Sequence, residues 1–218
     1  MKIIRIAIDG PSGSGKSTIA KAIAEKISID YIDTGAMYRA VGYKMMKNNV
    51  LVDDLDEITR MLENTKIEFI KGKTLLDGED VSSLIRNDEV ARMASLCSAL
   101  PMVREKLVDL QRKMGLEKSV IMDGRDIGTN VFKDAEVKFF ITASPEERAN
   151  RRYLELLEKG DKVNYEEVLE SIIKRDYNDS TRELNPLRQA EDAIYLDTTY
   201  MGIQEVQNNI MKEITKWL

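Results

Sequence analysis

The chain contains no histidine and only one cysteine. Without histidine, imidazole is excluded both as a general base and as a metal ligand. A single cysteine, Cys97, excludes an internal disulfide bond and any zinc site built from several thiolates, and we interpret it as a small buried hydrophobic residue. The chemistry of this protein must therefore depend on carboxylates, hydroxyls, lysine and arginine.

The sequence also lacks long apolar segments and blocks of like charge. No apolar run reaches the length of a membrane span. Residues 1–10 enter a predicted strand without the cationic and apolar segments of a signal peptide. The net charge of −5 arises from 33 basic and 38 acidic residues, and no run of lysine and arginine favours nucleic acid. We expect a cytoplasmic monomer that binds small molecules and neither nucleic acid nor membrane.

Apolar patterning over the 218 residues predicts one domain with alternating strands and helices. Buried strands are predicted at residues 3–8, 120–124, 137–142 and 193–198, with a short strand at residues 30–35. Helices are predicted from Lys16, from Ala36 to about Asn48, and over a last segment whose apolar positions run from Ile203 to Trp217. This alternation predicts an α/β fold with a doubly wound parallel sheet.

Two segments interrupt the alternation. Between residues 67 and 83, turn signals at Gly72-Lys73 and Asp77-Gly78 separate short β-type runs, which predicts a small antiparallel meander. Later, Ser144 and Pro145 open a helix, with Glu147 completing a predicted capping box. That helix should end near residue 160, and Asn164 with Glu167 opens a second one. Together the two helices form a predicted arm between core strands.

The segment GPSGSGKST, residues 10–18, matches the pattern G-x-x-x-x-G-K-[ST]. It follows a predicted strand and precedes a predicted helix, a context in which glycines let backbone N–H groups converge on phosphate oxygens. Lys16 would reach the β- and γ-phosphates, and the Ser17 hydroxyl would lie on Mg²⁺. We predict that a nucleotide is bound by Gly10, Pro11, Ser12, Gly13, Ser14, Gly15, Lys16, Ser17 and Thr18.

Charged residues also collect at the ends of predicted elements. In MDGRDIGT, Asp123, Arg125 and Asp126 lie at the C-terminal end of a buried strand, where α/β proteins place their ligands. In DTGAMYR, Tyr38 and Arg39 lie on a helix that follows a strand end. Arg39 is either a ligand-binding residue or a solvated helix residue.

The predicted arm carries two charged helical faces. Arg148, Arg151 and Arg152 share one face, which either binds a ligand or forms surface ion pairs with Glu146, Glu147 and Glu155. On the second helix Arg175, Asp179 and Arg182 share one face, with the same two alternatives. Spacing alone does not decide between them.

The type of phosphate acceptor must be inferred from these charges, because motors, switches and kinases share such loops. No guanine-reading N/T-K-x-D stretch stands in a suitable place. Transfer between two phosphates requires cations on both sides and a lid that excludes water. A phosphate acceptor is already a nucleophile and needs no histidine base. The sequence therefore favours a nucleoside monophosphate kinase.

Six segments together resemble the bacterial cytidylate kinases, P-loop nucleoside monophosphate kinases that phosphorylate CMP and dCMP with ATP. They are IAIDGPSGSGKST, YIDTGAMYRA, GEDVSSLIR, MDGRDIGT, SPEERANRR and RDYNDSTR. The combination of GEDVS…IR with DGRD is more specific for this family than the single motifs, because adenylate kinases carry DGFPR-like residues in place of DGRD. The resemblance implies a core of residues 1–48, 115–145 and 183–218, a monophosphate-binding insert at residues 49–114, and a lid at residues 146–182.

The resemblance also implies roles for individual residues. The loop of residues 10–18 would bind ATP, and Mg²⁺ would be held by Ser17 and, through water, by Asp123. Lys16, Arg125 and Arg151 would be the catalytic residues. CMP would be bound by Thr34, Tyr38, Arg39, Ser95, Arg104, Arg125, Asp126, Arg175, Asp179 and Arg182.

Within that set the resemblance implies separate residues for the phosphate and for the base. Arg39 and Arg125 would bind the 5′-phosphate, whereas Asp126, Ser95 and Arg104 would bind the cytosine edge. Cytosine presents an amino donor beside two acceptors, so a carboxylate with an arginine can recognise it. Two alternatives stay open: a P-loop kinase for another monophosphate or small acid, and a nucleotide switch that binds a protein.

Overall fold

The computed structural model describes residues 3–70 and 72–218. The chain divides into two compact units. Unit 1 contains the chain up to Tyr31 together with Lys118–Leu218, and unit 2 contains Ile32–Glu117. In chain order the elements are β1 (Arg5–Asp9), α1 (Lys16–Ile27), β2 (Asp30–Asp33), α2 (Thr34–Lys47), α3 (Leu55–Glu63), β3 (Ile67–Ile70), β4 (Lys73–Leu76), β5 (Glu79–Asp80), α4 (Asp88–Cys97), α5 (Pro101–Glu117), β6 (Val120–Gly124), β7 (Val137–Thr142), α6 (Pro145–Glu158), α7 (Tyr165–Thr181), β8 (Ile194–Asp197) and α8 (Ile203–Ile214).

The main sheet confirms the predicted α/β fold. Its five strands run in the order β2-β6-β1-β7-β8, and β1 pairs in parallel with both β6 and β7. All of β6 is buried, as a strand covered on both faces should be. Because Asp9 lies beside Gly124 in this register, the segments that follow β1 and β6 leave the sheet side by side.

One hydrophobic core joins this sheet to α1 and α8. Ile19 and Ile23 of α1 and Ile210 of α8 are buried in it. Helix α8 ends at Ile214, so the predicted extension to Trp217 is wrong. The Trp217 N–H donates to the Ile214 carbonyl at 2.9 Å, a three-residue turn and not a helical bond to the fourth residue back.

The arm of unit 1 consists of α6 and α7. Ser144 caps α6 by accepting a hydrogen bond from the Glu147 N–H at 3.2 Å, but the reciprocal half of the predicted capping box is wrong. The Ser144 N–H donates to Thr199 Oγ1 at 2.9 Å and the Glu147 carboxylate pairs with Arg151. Asn164 caps α7, as predicted. Ala149, Leu156, Val168 and Ile172 form a small core that joins the two helices.

Unit 2 contains the predicted meander, an antiparallel sheet of three strands in the order β3-β4-β5. Asp77 and Gly78, the predicted turn, connect β4 to β5. Helix α2 begins at Thr34, two residues before the predicted start, because the Asp33 carboxylate caps it by accepting from the Ala36 N–H at 2.8 Å. Cys97 is fully buried, which raises the pKa of its thiol to about 12 and confirms it as a hydrophobic residue.

No helix in the described ranges, 3–70 and 72–218, has both the length and the apolar character required to cross a membrane.

Candidate active site

The loop after β1 has the backbone shape of a phosphate-binding loop. Gly10 has a φ of 147°, and a Cβ built there would lie 1.9 Å from the Ile141 carbonyl oxygen. Only glycine therefore lets the chain leave β1 so close to β7. Helix α1 then begins at Lys16, so its first N–H groups and its positive dipole end close the loop, which is the arrangement that binds anions.

Lys16 is buried inside this loop, with 4 % of its surface exposed. Its Nζ donates to the Pro11 carbonyl at 2.6 Å and to Ser14 Oγ at 3.2 Å. Burial and the positive charge of Arg125 lower the pKa of Lys16. An ammonium that is held by neutral acceptors gains stabilisation when an anion binds beside it. The site is thus suited to a polyphosphate.

Ser17, Asp123 and Tyr31 form a hydrogen-bonded group next to the loop. The Ser17 hydroxyl donates to Asp123 Oδ2 at 2.7 Å, and the Tyr31 hydroxyl donates to Asp123 Oδ1 at 2.9 Å. The sequence predicted Ser17 and Asp123 for Mg²⁺ but missed Tyr31. The sequence placed Tyr31 on a predicted strand at residues 30–35, but only the structure shows that this strand, β2, lies next to β6 in the sheet.

This donor set fits a magnesium ion. A hydroxyl and a carboxylate are ligands that Mg²⁺ accepts, with waters and phosphate oxygens completing its octahedron. Within the described ranges, the structure contains no group of three or more acidic or cysteine side chains that could hold a metal by themselves.

The charges that follow β6 meet the charges of the arm. Arg125 Nε donates to Asp179 Oδ2 at 2.7 Å, and Arg182 donates to Asp126 Oδ1 at 3.3 Å. Burial alone would raise the pKa of Asp179, but the charge and hydrogen bond of Arg125 lower it below its ordinary value. Arg175 contributes a further positive charge to the same carboxylate. The residues predicted from MDGRDIGT and from the second arm helix are thus brought together.

Arg182 reaches Asp126 from the C-terminal end of α7. Helix α7 ends at Thr181, and Arg182 adopts φ −59° and ψ 143° as its C-cap. Its guanidinium also donates to the Asn185 carbonyl at 2.6 Å. Arg175 and Arg182 both contribute positive charge to Asp179, so the predicted grouping of these three residues extends to the C-cap of α7.

The three arginines on α6 do not behave alike. Arg148 is 3 % exposed, and its guanidinium donates to the Ala143 and Ser12 carbonyls at 2.8 and 3.0 Å and to Asp176 at 2.6 Å. Arg148 therefore fastens the phosphate loop to the arm, and the surface-pair alternative is wrong for it. Arg151 and Arg152 form the ion pairs that this alternative expected, with Glu147 and Glu155. Arg151 also donates to the Thr198 carbonyl at 2.8 Å.

Unit 2 contains its own cluster of cations around Asp33. Arg39 and Arg86 donate to Asp33 Oδ2 at 2.8 and 3.3 Å. The Arg39 side chain is 18 % exposed, so the solvated alternative is wrong for it. Thr34 is buried as the first residue of α2. The sequence analysis missed Asp33 as the partner of Arg39, and it missed Arg86 as a second arginine on that carboxylate, although Arg86 ends the segment GEDVSSLIR.

Arg104, Tyr38 and Ser95 also lie in unit 2. Arg104 is 3 % exposed on α5, and its Cζ lies 5.8 Å from the centroid of the Tyr38 ring, within cation–π distance. It also donates to the Ser98 carbonyl at 3.3 Å. Ser95 is partly buried on α4, and its carbonyl accepts the Ser98 hydroxyl at 2.8 Å. The structure thus brings Arg104 to Tyr38.

The site geometry agrees with the chain's similarity to known proteins. The sequence model of a family described as cytidylate kinase matches residues 6–216. A cytidylate kinase from Clostridium perfringens is 54 % identical over 215 residues, covering 99 % of each chain. One from Carboxydothermus hydrogenoformans is 52 % identical, covering 97 % of each. Among solved structures, a shikimate kinase from Bacteroides thetaiotaomicron has a TM-score of 0.52 at 13 % identity, covering 98 % of this chain and 99 % of that one, and it shares the fold alone.

Proposed function

The chain belongs to the cytidylate kinase family, and from this premise we propose that it transfers the γ-phosphate of ATP to CMP or dCMP, giving CDP or dCDP. We propose that it does so in the cytoplasm as a monomer. The observation that carries the proposal lies in unit 1. There the phosphate loop with Lys16, and Asp123, Arg125 and Asp126, lie at the C-terminal ends of adjacent parallel strands, β1 and β6.

In the proposed reaction, residues 10–18 bind the ATP phosphates through backbone N–H groups and Lys16. Arg151 completes the neutralisation from the arm. The acceptor phosphate is its own nucleophile, so the protein contributes positioning and charge neutralisation and needs no general base. The chain's lack of histidine is consistent with that chemistry.

Mg²⁺ would be held by Ser17 and, through water, by Asp123. When bound, it neutralises charge on the transferring phosphate. Tyr31 would keep the Asp123 carboxylate in place through its hydrogen bond. These residues hold only part of an octahedral shell, so binding of the metal should depend on ATP.

CMP would be bound in part by arginines that are themselves paired with carboxylates. Arg125 would donate to the 5′-phosphate from its Nη atoms while its Nε donates to Asp179. Arg39 is likewise paired with a carboxylate, since its Nη2 donates to Asp33. Thr34 and Tyr38 would line the phosphate. Asp126, Ser95 and Arg104 would bind the cytosine edge, and Arg175, Asp179 and Arg182 the sugar and base. Arginines that are fixed by carboxylates lose little side-chain entropy on binding phosphate.

The proposal is tested by acceptor dependence. ADP release should be measured with ATP and Mg²⁺ plus CMP, dCMP, UMP, AMP, GMP or shikimate, and with ATP alone. We expect CMP and dCMP to give the highest kcat/KM. Preference for another acceptor would identify a different P-loop kinase, and release that no acceptor changes would identify a nucleotide switch.

Asp126→Asn is expected to weaken the choice of CMP over UMP by roughly tenfold or more. The carboxylate would accept from the amino group of cytosine but would repel the O4 carbonyl of uracil, whereas an amide can turn either end to the base. CMP then loses a charge-assisted bond of about 1.5–3 kcal/mol, and UMP loses its penalty. The measurement is kcat/KM for both substrates.

Asp134→Asn is the matched control for Asp126→Asn, because Asp134 is an exposed carboxylate of the same unit that pairs with Arg5. It should leave the ratio unchanged. If Asp126→Asn lowers kcat/KM for CMP and UMP equally, Asp126 instead supports the structure at the strand end, for example through Arg182. An unchanged ratio would assign base recognition to Ser95 and Arg104.

A further inference from the structure

Asp9 is a buried carboxylate to which the sequence motifs assign no role. It is the last residue of β1 and is 3 % exposed. Its two oxygens accept separate hydrogen bonds, from the Ile127 N–H at 2.8 Å and from the Gly128 N–H at 2.7 Å. Both donors belong to the turn of π-helix, Ile127–Val131, that follows Asp126. One side chain thus fixes the segment that carries Arg125 and Asp126.

The fit between Asp9 and this segment is close. A Cβ at Gly128 would lie 3.4 Å from Asp9 Oδ2 and 3.1 Å from Lys138 Cδ. The second distance is shorter than an ordinary carbon–carbon contact, so a side chain at this position would push the segment or the lysine aside. Packing against Lys138 therefore leaves little room for a side chain beside the Asp9 contact.

The electrostatics of Asp9 show that these two hydrogen bonds matter. Burial is the largest effect on the pKa of Asp9 and, together with the negative charge of Asp126, raises it. The N–H groups of Gly128 and Ile127 and the charge of Lys16 oppose this rise, and the resulting pKa is about 7. Each of the two hydrogen bonds therefore favours the ionised carboxylate against the cost of its burial.

We propose that Asp9 is a positioning residue for acceptor binding: it ties the end of the phosphate-loop strand to the backbone that places Arg125 and Asp126. It acts through that backbone and does not itself contact substrate. The inference rests on the proposed function, since the acceptor is CMP only if that proposal holds. Its consequence is that loss of Asp9 should impair CMP binding and CMP–UMP discrimination more than ATP binding.

The first test is Asp9→Asn. An amide has one acceptor oxygen, so one of the two N–H groups would face an NH₂ group instead. We expect the KM for CMP to rise about tenfold and the CMP over UMP ratio of kcat/KM to fall at least about threefold, with the KM for ATP changed less than about twofold. Asp134→Asn, the exposed carboxylate control, should change none of these. Equal loss of ATP and CMP binding would overturn the proposal.

The second test uses hydrogen exchange, which does not depend on activity. In Asp9→Asn the Ile127 and Gly128 amides should exchange at least about tenfold faster, while amides of β7 keep their protection. Unchanged exchange would overturn the positioning role, and faster exchange with unchanged CMP kinetics would overturn its link to the acceptor. If the unsubstituted protein fails to phosphorylate CMP, the proposed function is wrong, and exchange still tests Asp9.

Gly128→Ala perturbs the same contact from the other side and keeps the proposal testable if Asp9→Asn does not fold. The added methyl group should displace the segment and raise the KM for CMP without a matching rise for ATP. Normal discrimination and normal exchange in Gly128→Ala would contradict the inference.

Discussion

Lys16→Met is expected to lower kcat for phosphate transfer by about 10²- to 10³-fold, the effect of removing one cation or donor from a developing phosphate charge. Methionine keeps the stem of the side chain but has no charge. Because Lys16 is buried in the loop, and its hydrogen bonds to Pro11 and Ser14 stay within that loop, the fold should persist. Steady-state kinetics and a thermal melt of the variant measure the two effects.

The difference in stability between the unsubstituted protein and Lys16→Met should depend on pH. The folded-state pKa of Lys16 lies below its ordinary value of 10.5, so the unfolded chain binds more protons between those two values. Stability of the unsubstituted protein should therefore rise with pH relative to Lys16→Met between pH 7 and pH 9. Denaturant melts at both values measure the difference.

Lys44→Met is a suitable control, because Lys44 is a partly buried lysine of unit 2 that donates to the Asn64 carbonyl at 2.7 Å. It should keep normal kcat. Near-normal turnover in Lys16→Met would refute the proposed phosphate contact.

Arg125→Lys is expected to lower kcat/KM for CMP by about 10²-fold. Lysine keeps the positive charge but loses the planar fork, so it cannot hold Asp179 and a phosphate at the same time. The charge of the Asp179 carboxylate would then be less completely compensated and would repel the dianionic acceptor. The KM for CMP should carry most of the loss and the KM for ATP little.

Arg5→Lys is the matched control for this change. Arg5 also forms ion pairs in unit 1, with Asp134 and Glu136, but it has no proposed ligand role. It should leave both KM values unchanged. A similar rise of the two KM values in Arg125→Lys would mean that Arg125 supports the whole site and does not bind the acceptor phosphate.

Much of this protein is determined by contiguous sequence. The phosphate loop of residues 10–18 is predicted from its own pattern, because glycines stand where φ is positive, at Gly10, Gly13 and Gly15, and α1 starts at Lys16. The caps at Ser144 and Asn164 act on N–H groups two or three residues away. The buried strand at 120–124 could be predicted with correct bounds, since apolar runs depend on burial alone.

The partners of the site residues were decided only by the tertiary structure. Asp9 meets Ile127, and Tyr31 meets Asp123, across 118 and 92 positions of the chain. Helical spacing placed Arg148 on one face with Arg151, yet only packing against the Ser12 carbonyl turned Arg148 inward. Periodicity states which face of an element a residue occupies, whereas the group opposite that face depends on how distant segments pack.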